Sequence, residues 1–94
     1  MADLQETWNT HATNVVSGNV ATLMGDFTPG GMAKAMAAVA SNPIVAQSFE
    51  VNDLGGNEVE IAYIGATRRT FWSKWQETTP GKWQITDLSE RVDG

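Results

Sequence analysis

The spacing of apolar residues changes once along the chain, close to Pro43: before it they recur at helical intervals, and after it they alternate. Leu4, Trp8, His11 and Val15 lie three or four apart. At about 100° per residue this gathers them within roughly 60° of arc, so His11 belongs to an apolar stripe. Asp3 precedes the stripe as an N-cap with Glu6 three residues on, a variant of the capping box, and Ser17-Gly18-Asn19 stops it. A shorter helix follows, with Val20, Leu23, Met24 and Phe27 on one side and Gly25-Asp26 loosening its end. Thr28-Pro29 supplies a cap and a proline at the first helical position, opening a third helix that turns Met32, Met36 and Val39 inward. The alanines of this helix, Ala33, Ala35, Ala37, Ala38 and Ala40, allow a close neighbour, and Ser41-Asn42-Pro43 ends it because the residue before proline avoids helix.

From Ile44 onward the alternation predicts four strands, Ile44 to Asp53, Glu58 to Gly65, Arg69 to Thr78 and Lys82 to Ser89. With three-residue loops between them, the odd positions Phe49, Val51, Val59, Ile61, Tyr63, Phe71, Trp75, Trp83 and Ile85 all share one face. Pro80-Gly81 instead suits the centre of a type II turn, which shifts the last register by one unless a bulge restores it. We let the apolar face decide, since a one-residue slip would send Trp83 and Ile85 into water. The fold class is then α+β, three N-terminal helices packed on a curved four-stranded antiparallel sheet, in one domain spanning residues 1–94. The even face is mostly polar but carries Ile64, Trp72 and Leu88, a set expected at a homodimer interface.

Composition narrows the function classes. The formal charge is −5, from 11 acidic and 6 basic residues spread along the chain, so no basic block is present to neutralise phosphates and nucleic acid is not an expected partner. Cysteine is absent, which removes thiolate chemistry and fits a reducing cytoplasm. No apolar stretch approaches the roughly 20 residues of a membrane span, and the N-terminal residues show no basic region followed by an apolar run, so neither membrane insertion nor a signal peptide is expected.

Polar residues sent inward by the odd-face assignment are the candidates for chemistry, because a buried polar group needs a partner or a purpose. They are Arg69, Ser73 and Asp87, joined by His11 and the Tyr63 hydroxyl. In the favoured register Ser73 faces Asp87, and His11 with Asp87 could form an acid–base pair in an apolar pocket. The plainer reading has Asp87 pairing with Arg69 or capping a turn while His11 bonds to backbone. Trp8, Phe49, Tyr63, Phe71, Trp75 and Trp83 suit either a pocket for a flat apolar ligand or the filling of a small core. The chain carries no metal-ligand motif, no phosphate loop around Gly30-Gly31 and no Gly-x-Ser-x-Gly at any of its serines, and no cofactor is expected.

Helices followed by a four-stranded meander, with Trp8 in the first helix, Val16-Ser17-Gly18-Asn19 after it, the Leu23 to Phe27 run, Thr28-Pro29, and Pro80-Gly81-Lys82-Trp83-Gln84-Ile85 entering the last strand, form a pattern covering nearly the whole chain. It resembles the cone-shaped, cystatin-like fold of the nuclear transport factor 2-like superfamily, which includes ketosteroid isomerases and small polyketide cyclases. The resemblance implies a pocket between sheet and helices and dimers made by packing sheets together. It also sets His11 where an isomerase would carry its oxyanion-binding tyrosine. The isomerases' catalytic aspartate has no counterpart at matching spacing, since Phe27-Thr28 passes straight into Pro29-Gly30-Gly31 with Asp26 the nearest carboxylate.

The leading expectation is a noncatalytic module, homodimeric through Ile64, Trp72 and Leu88. It would bind a protein partner or a small apolar molecule lined by Trp8, Tyr63, Arg69, Phe71, Ser73 and Trp75. The competing expectations are a small isomerase or cyclase using His11 and Asp87, and an accessory domain attached to another protein.

Overall fold

The computed structural model describes residues 3–40 and 42–91. Asp3 accepts a hydrogen bond from the Glu6 N–H at 2.7 Å and so opens helix α1 (Leu4–Ser17), whose stripe buries Trp8, His11 and Ala12. Gly18, at φ 75°, closes it with its N–H on the Val15 carbonyl, a left-handed cap that glycine adopts without a Cβ penalty. Helix α2 (Val20–Leu23) is one turn long and runs into a 3₁₀ turn, Met24–Asp26. Phe27 is extended and bridges Ile85 in parallel, and the Thr28 N–H donates to the Ile85 carbonyl at 3.0 Å. Thr28 then caps helix α3 (Pro29–Val39) by accepting from the Gly31 N–H. The expected inward positions of the Val20 side chain and the end of α3 at Ser41 lie outside the described residues.

Two methionines correct the helical expectation, since Met24 and Met36 are 61% and 60% exposed. The reason is close approach. Helix α3 buries Gly31 and packs Ala38 and the expected Val39 against the core, and Gly31 lies so near the Ile85 carbonyl that a Cβ there would collide with it. Small residues thereby occupy part of the inward stripe, Met32 stays half-buried and Met36 is turned to solvent.

The sheet is an antiparallel meander in the order β1 (Ser48–Gly55), β2 (Glu58–Ile64), β3 (Arg68–Thr79) and β4 (Lys82–Arg91). Strand β1 starts four residues later than the alternation implied. Ile44 to Gln47 crosses the end of β2, where the Gln47 N–H meets the Ile64 carbonyl and Val45 is 82% exposed. Only the middle connection, residues 65–67, is a three-residue loop. The outer hairpins use two-residue turns, Gly56-Asn57 with φ 60° and 64°, and Pro80-Gly81 with Gly81 at φ 80°. Each is compensated by one extra residue in the ladder, Leu54 in β1 and Thr78 in β3. The odd residues consequently keep the inner face, with Phe49 opposite Tyr63, Ile61 opposite Phe71 and Trp75 opposite Ile85.

A third irregularity was not anticipated. Trp75 faces Ile85 but Lys74 faces Asp87, so Thr86 is an extra residue and everything beyond it changes face. Leu88 turns inward onto the core and cannot join Trp72 on the outer face, while Asp87 stands opposite exposed Lys74 and Leu88 takes the expected place opposite Ser73. The core comprises Trp8, Ala12, Val59, Ile61, Tyr63, Phe71, Trp75 and Ile85, with Trp83 and Phe49 packed against it. Val51 is 36% exposed despite its inner-face position, because the helices leave that part of β1 uncovered.

Candidate functional site

His11 is the centre of the polar interior. Helix α1 holds it in the apolar stripe, and its imidazole meets the edges of Phe27 and Trp75 at centroid distances of 5.7 and 5.4 Å. Its Nδ1 donates to Asp26 Oδ2 at 2.9 Å. The partner expected from the sequence was Asp87. Asp87 instead has 46% of its side chain exposed and lies 3.8 Å from Lys34, because the extra residue at Thr86 removed it from the inner face. Asp26 keeps 23% of its side chain exposed, so the buried imidazole is tied to a carboxylate at the surface.

Tyr63 lies within the influence of the same carboxylate. Burial pushes its phenol pKa well above the ordinary tyrosine value, and the Asp26 charge raises it further. Ser73 is buried and accepts from Trp75 Nε1 at 3.0 Å, which satisfies both side chains locally. Trp8 is buried with its Nε1 unpartnered. Thus Trp8, Tyr63, Phe71, Ser73 and Trp75, expected to line a pocket, are packed core residues. One surface depression of about 470 Å³ runs along the outer side of α1 and another of about 390 Å³ lies between α1 and the start of β1, and none of these five residues or His11 lines either.

Arg69 closes the far end of the inner face. Its guanidinium makes two 3.0 Å hydrogen bonds to the Glu90 carboxylate, donates to the Asn42 carbonyl and stacks over Phe71 at 5.1 Å. The Glu90 hydrogen bonds raise the Arg69 pKa, and the same bonds hold Glu90 below the usual carboxylate range. Glu90 reaches this position only through the face change at Thr86.

The outer face has a different character. Trp72 Nε1 donates to Glu58 at 2.9 Å, and the Arg91 guanidinium lies 5.4 Å over its ring. Arg91 also approaches Glu60 at 3.4 Å, and Arg68 pairs with Glu50 at 3.0 Å. Ile64 is half-buried on β2. Among the described residues no group of three His, Asp or Glu side chains converges as a metal set, and no helix is long and apolar enough to cross a membrane. No family model matches the chain, and no curated protein or solved structure matches it.

Two pairings escaped the sequence reading, His11 with Asp26 and Arg69 with Glu90. Asp26 stood beside Phe27 in a short helical run, and its proximity to His11 depends on how α2 folds back on α1. Glu90 had no signal, since the bulge that turns it inward has no residue signature.

Proposed function

We propose that the chain is a noncatalytic interaction module, a short member of the nuclear transport factor 2-like superfamily, that works in the cytoplasm as a homodimer through the outer face of its sheet. The observation that carries this reading is the placement of Trp72: the helices pack on the inner face, and a tryptophan stands half-buried on the face they leave uncovered. A solvated sheet face ordinarily carries polar residues, and the ion pairs around Trp72 are surface pairs worth about 0–1 kcal/mol each, too little to account for an indole there. Ile64 and Trp72 together with the flanking Glu58, Glu60 and Arg91 match the makeup of an interface with an apolar centre and a polar rim.

The filled inner face weighs against a small-molecule pocket, because the aromatic groups that would line it occupy the space themselves. It weighs equally against acid–base catalysis at His11, whose ring is enclosed by Phe27 and Trp75. Trp72→Glu tests the reading. Light scattering of the native chain should give twice the 10.2 kDa of one chain, and the variant should return the single-chain mass with unchanged circular dichroism. A native chain of single mass, or a variant of doubled mass, removes the proposed interface.

A further inference from the structure

The two edges of the sheet are not equivalent. On β4 the Ile85 carbonyl is taken by the Thr28 N–H and hydroxyl, so Phe27 and Thr28 cover that edge at its middle. On β1 the outer edge pairs with nothing among the described residues. The Trp75 N–H donates to the Asn57 carbonyl, which makes the odd residues of β2 face β3 and its even residues face β1. Ser48, Glu50 and Asn52, which oppose the even residues of β2, therefore bond inward to β2. Phe49, Val51 and Asp53 accordingly turn their N–H and C=O groups outward as an unpaired ladder.

Two further features adjoin this ladder. The groove of about 390 Å³ between α1 and β1 is lined by Thr13, Val16, Ser17, Gln47, Ser48 and Phe49, and so offers an uncharged recess on the inner side. The hairpin itself is acidic. Glu50, Asp53, Glu58 and Glu60 fall within a stretch, residues 35–67, that contains no lysine or arginine, and Arg68 on Glu50 and Arg91 on Glu60 offset two of these four charges. A second copy of β1 on this edge would bring Glu50 and Asp53 of both chains to one seam. Like charge thus disfavours self-pairing at this edge and favours a cationic strand.

We propose that β1 is a strand-addition site for an extended basic peptide whose aliphatic side chains lie along Phe49, Val51 and the groove while lysine or arginine side chains on its other face meet Glu50. Main-chain hydrogen bonds supply affinity in such docking, and the alternating side chains supply selection. The unpaired ladder and the groove lie at the β1 edge, two strands from Trp72 on β3, and Glu50 is the element of this site that belongs to the outer face.

The test is fluorescence anisotropy of the full chain with a labelled eight-residue peptide of alternating valine and lysine, matching the eight residues of β1. Binding should saturate and weaken with added salt. A peptide alternating valine and glutamate, and a valine–lysine peptide N-methylated at alternate backbone nitrogens, should each bind at least about tenfold more weakly. Val51→Pro removes one outward N–H at an edge position where proline is tolerated, and should also weaken binding about tenfold, whereas Trp72→Gln, which adds no charge, should leave it unchanged. No binding of the valine–lysine peptide, equal binding of its N-methylated form, or a doubled mass that Val51→Pro abolishes would overturn the proposal, the last by assigning the edge to a second copy.

Discussion

At the scale of single residues, the buried polar side chains mostly satisfy one another, with the Trp8 indole N–H the exception among the described residues. His11 joins α1 to the 3₁₀ turn through Asp26 and fills space between Phe27 and Trp75, with edge contacts worth about 0.5–1.5 kcal/mol each. Tyr63 gives the most direct residue-level prediction. Its pKa is raised in the folded chain, whereas the unfolded chain ionises near the ordinary value of about 10. Above that pH the unfolded state has lost a proton that the folded state retains, so the Tyr63 contribution is complete below about pH 10 and declines as pH rises beyond it. As Tyr63 is the single tyrosine, phenolate absorbance should appear together with loss of the fold. Tyr63→Phe should flatten the alkaline limb of stability while changing stability at neutral pH by about 1 kcal/mol or less. Phenolate absorbance rising near pH 10 with circular dichroism intact would contradict the buried placement.

At the scale of elements, close packing of α3 on β4 rests on one glycine. Gly31→Ala should destabilise the protein by about 1–3 kcal/mol, since the added methyl runs into the Ile85 carbonyl and must displace backbone. Gly30→Ala, in open space one residue earlier, should be neutral or stabilising by up to about 1 kcal/mol. Thermal unfolding of the two variants separates these outcomes. The same elements mark how far the sequence could be read. The helix caps at Asp3, Gly18 and Thr28 and the inner-face set from Phe49 to Ile85 were legible, because capping chemistry and alternation are local signals. The bulges at Leu54 and Thr78 were legible only in effect, through an apolar face that had to stay continuous. The one at Thr86 was not, since Asp87-Leu88 can alternate in either phase and Thr86 has no distinguishing property. From that single residue follow the loss of Asp87 from the interior, the loss of Leu88 from the outer face and the unexpected pairing of Arg69 with Glu90. Met36 of α3 misled for a related reason: helical spacing selects a face but does not say whether large or small residues suit the distance to the neighbour.

At the scale of the whole molecule, the described residues form a sheet covered on one face by α1, α3 and the 3₁₀ turn, guarded on the β4 edge and left open on its outer face and β1 edge. The candidate functions belong to these open surfaces, and the tryptophans report on both sides of the sheet. Trp8 and Trp75 are buried within the chain, whereas Trp72 is half-buried and would gain protection from a second copy in the proposed dimer. Hydrogen exchange of the indole N–H groups, followed by nuclear magnetic resonance across a hundredfold dilution with the mass measured in parallel, therefore tests the central claim. The account predicts that the Trp8 and Trp75 signals stay protected throughout, while Trp72 exchanges faster on dilution as the mass falls from two chains to one. A Trp72 signal that exchanges at one rate across the series, with the mass fixed at a single chain, would contradict it.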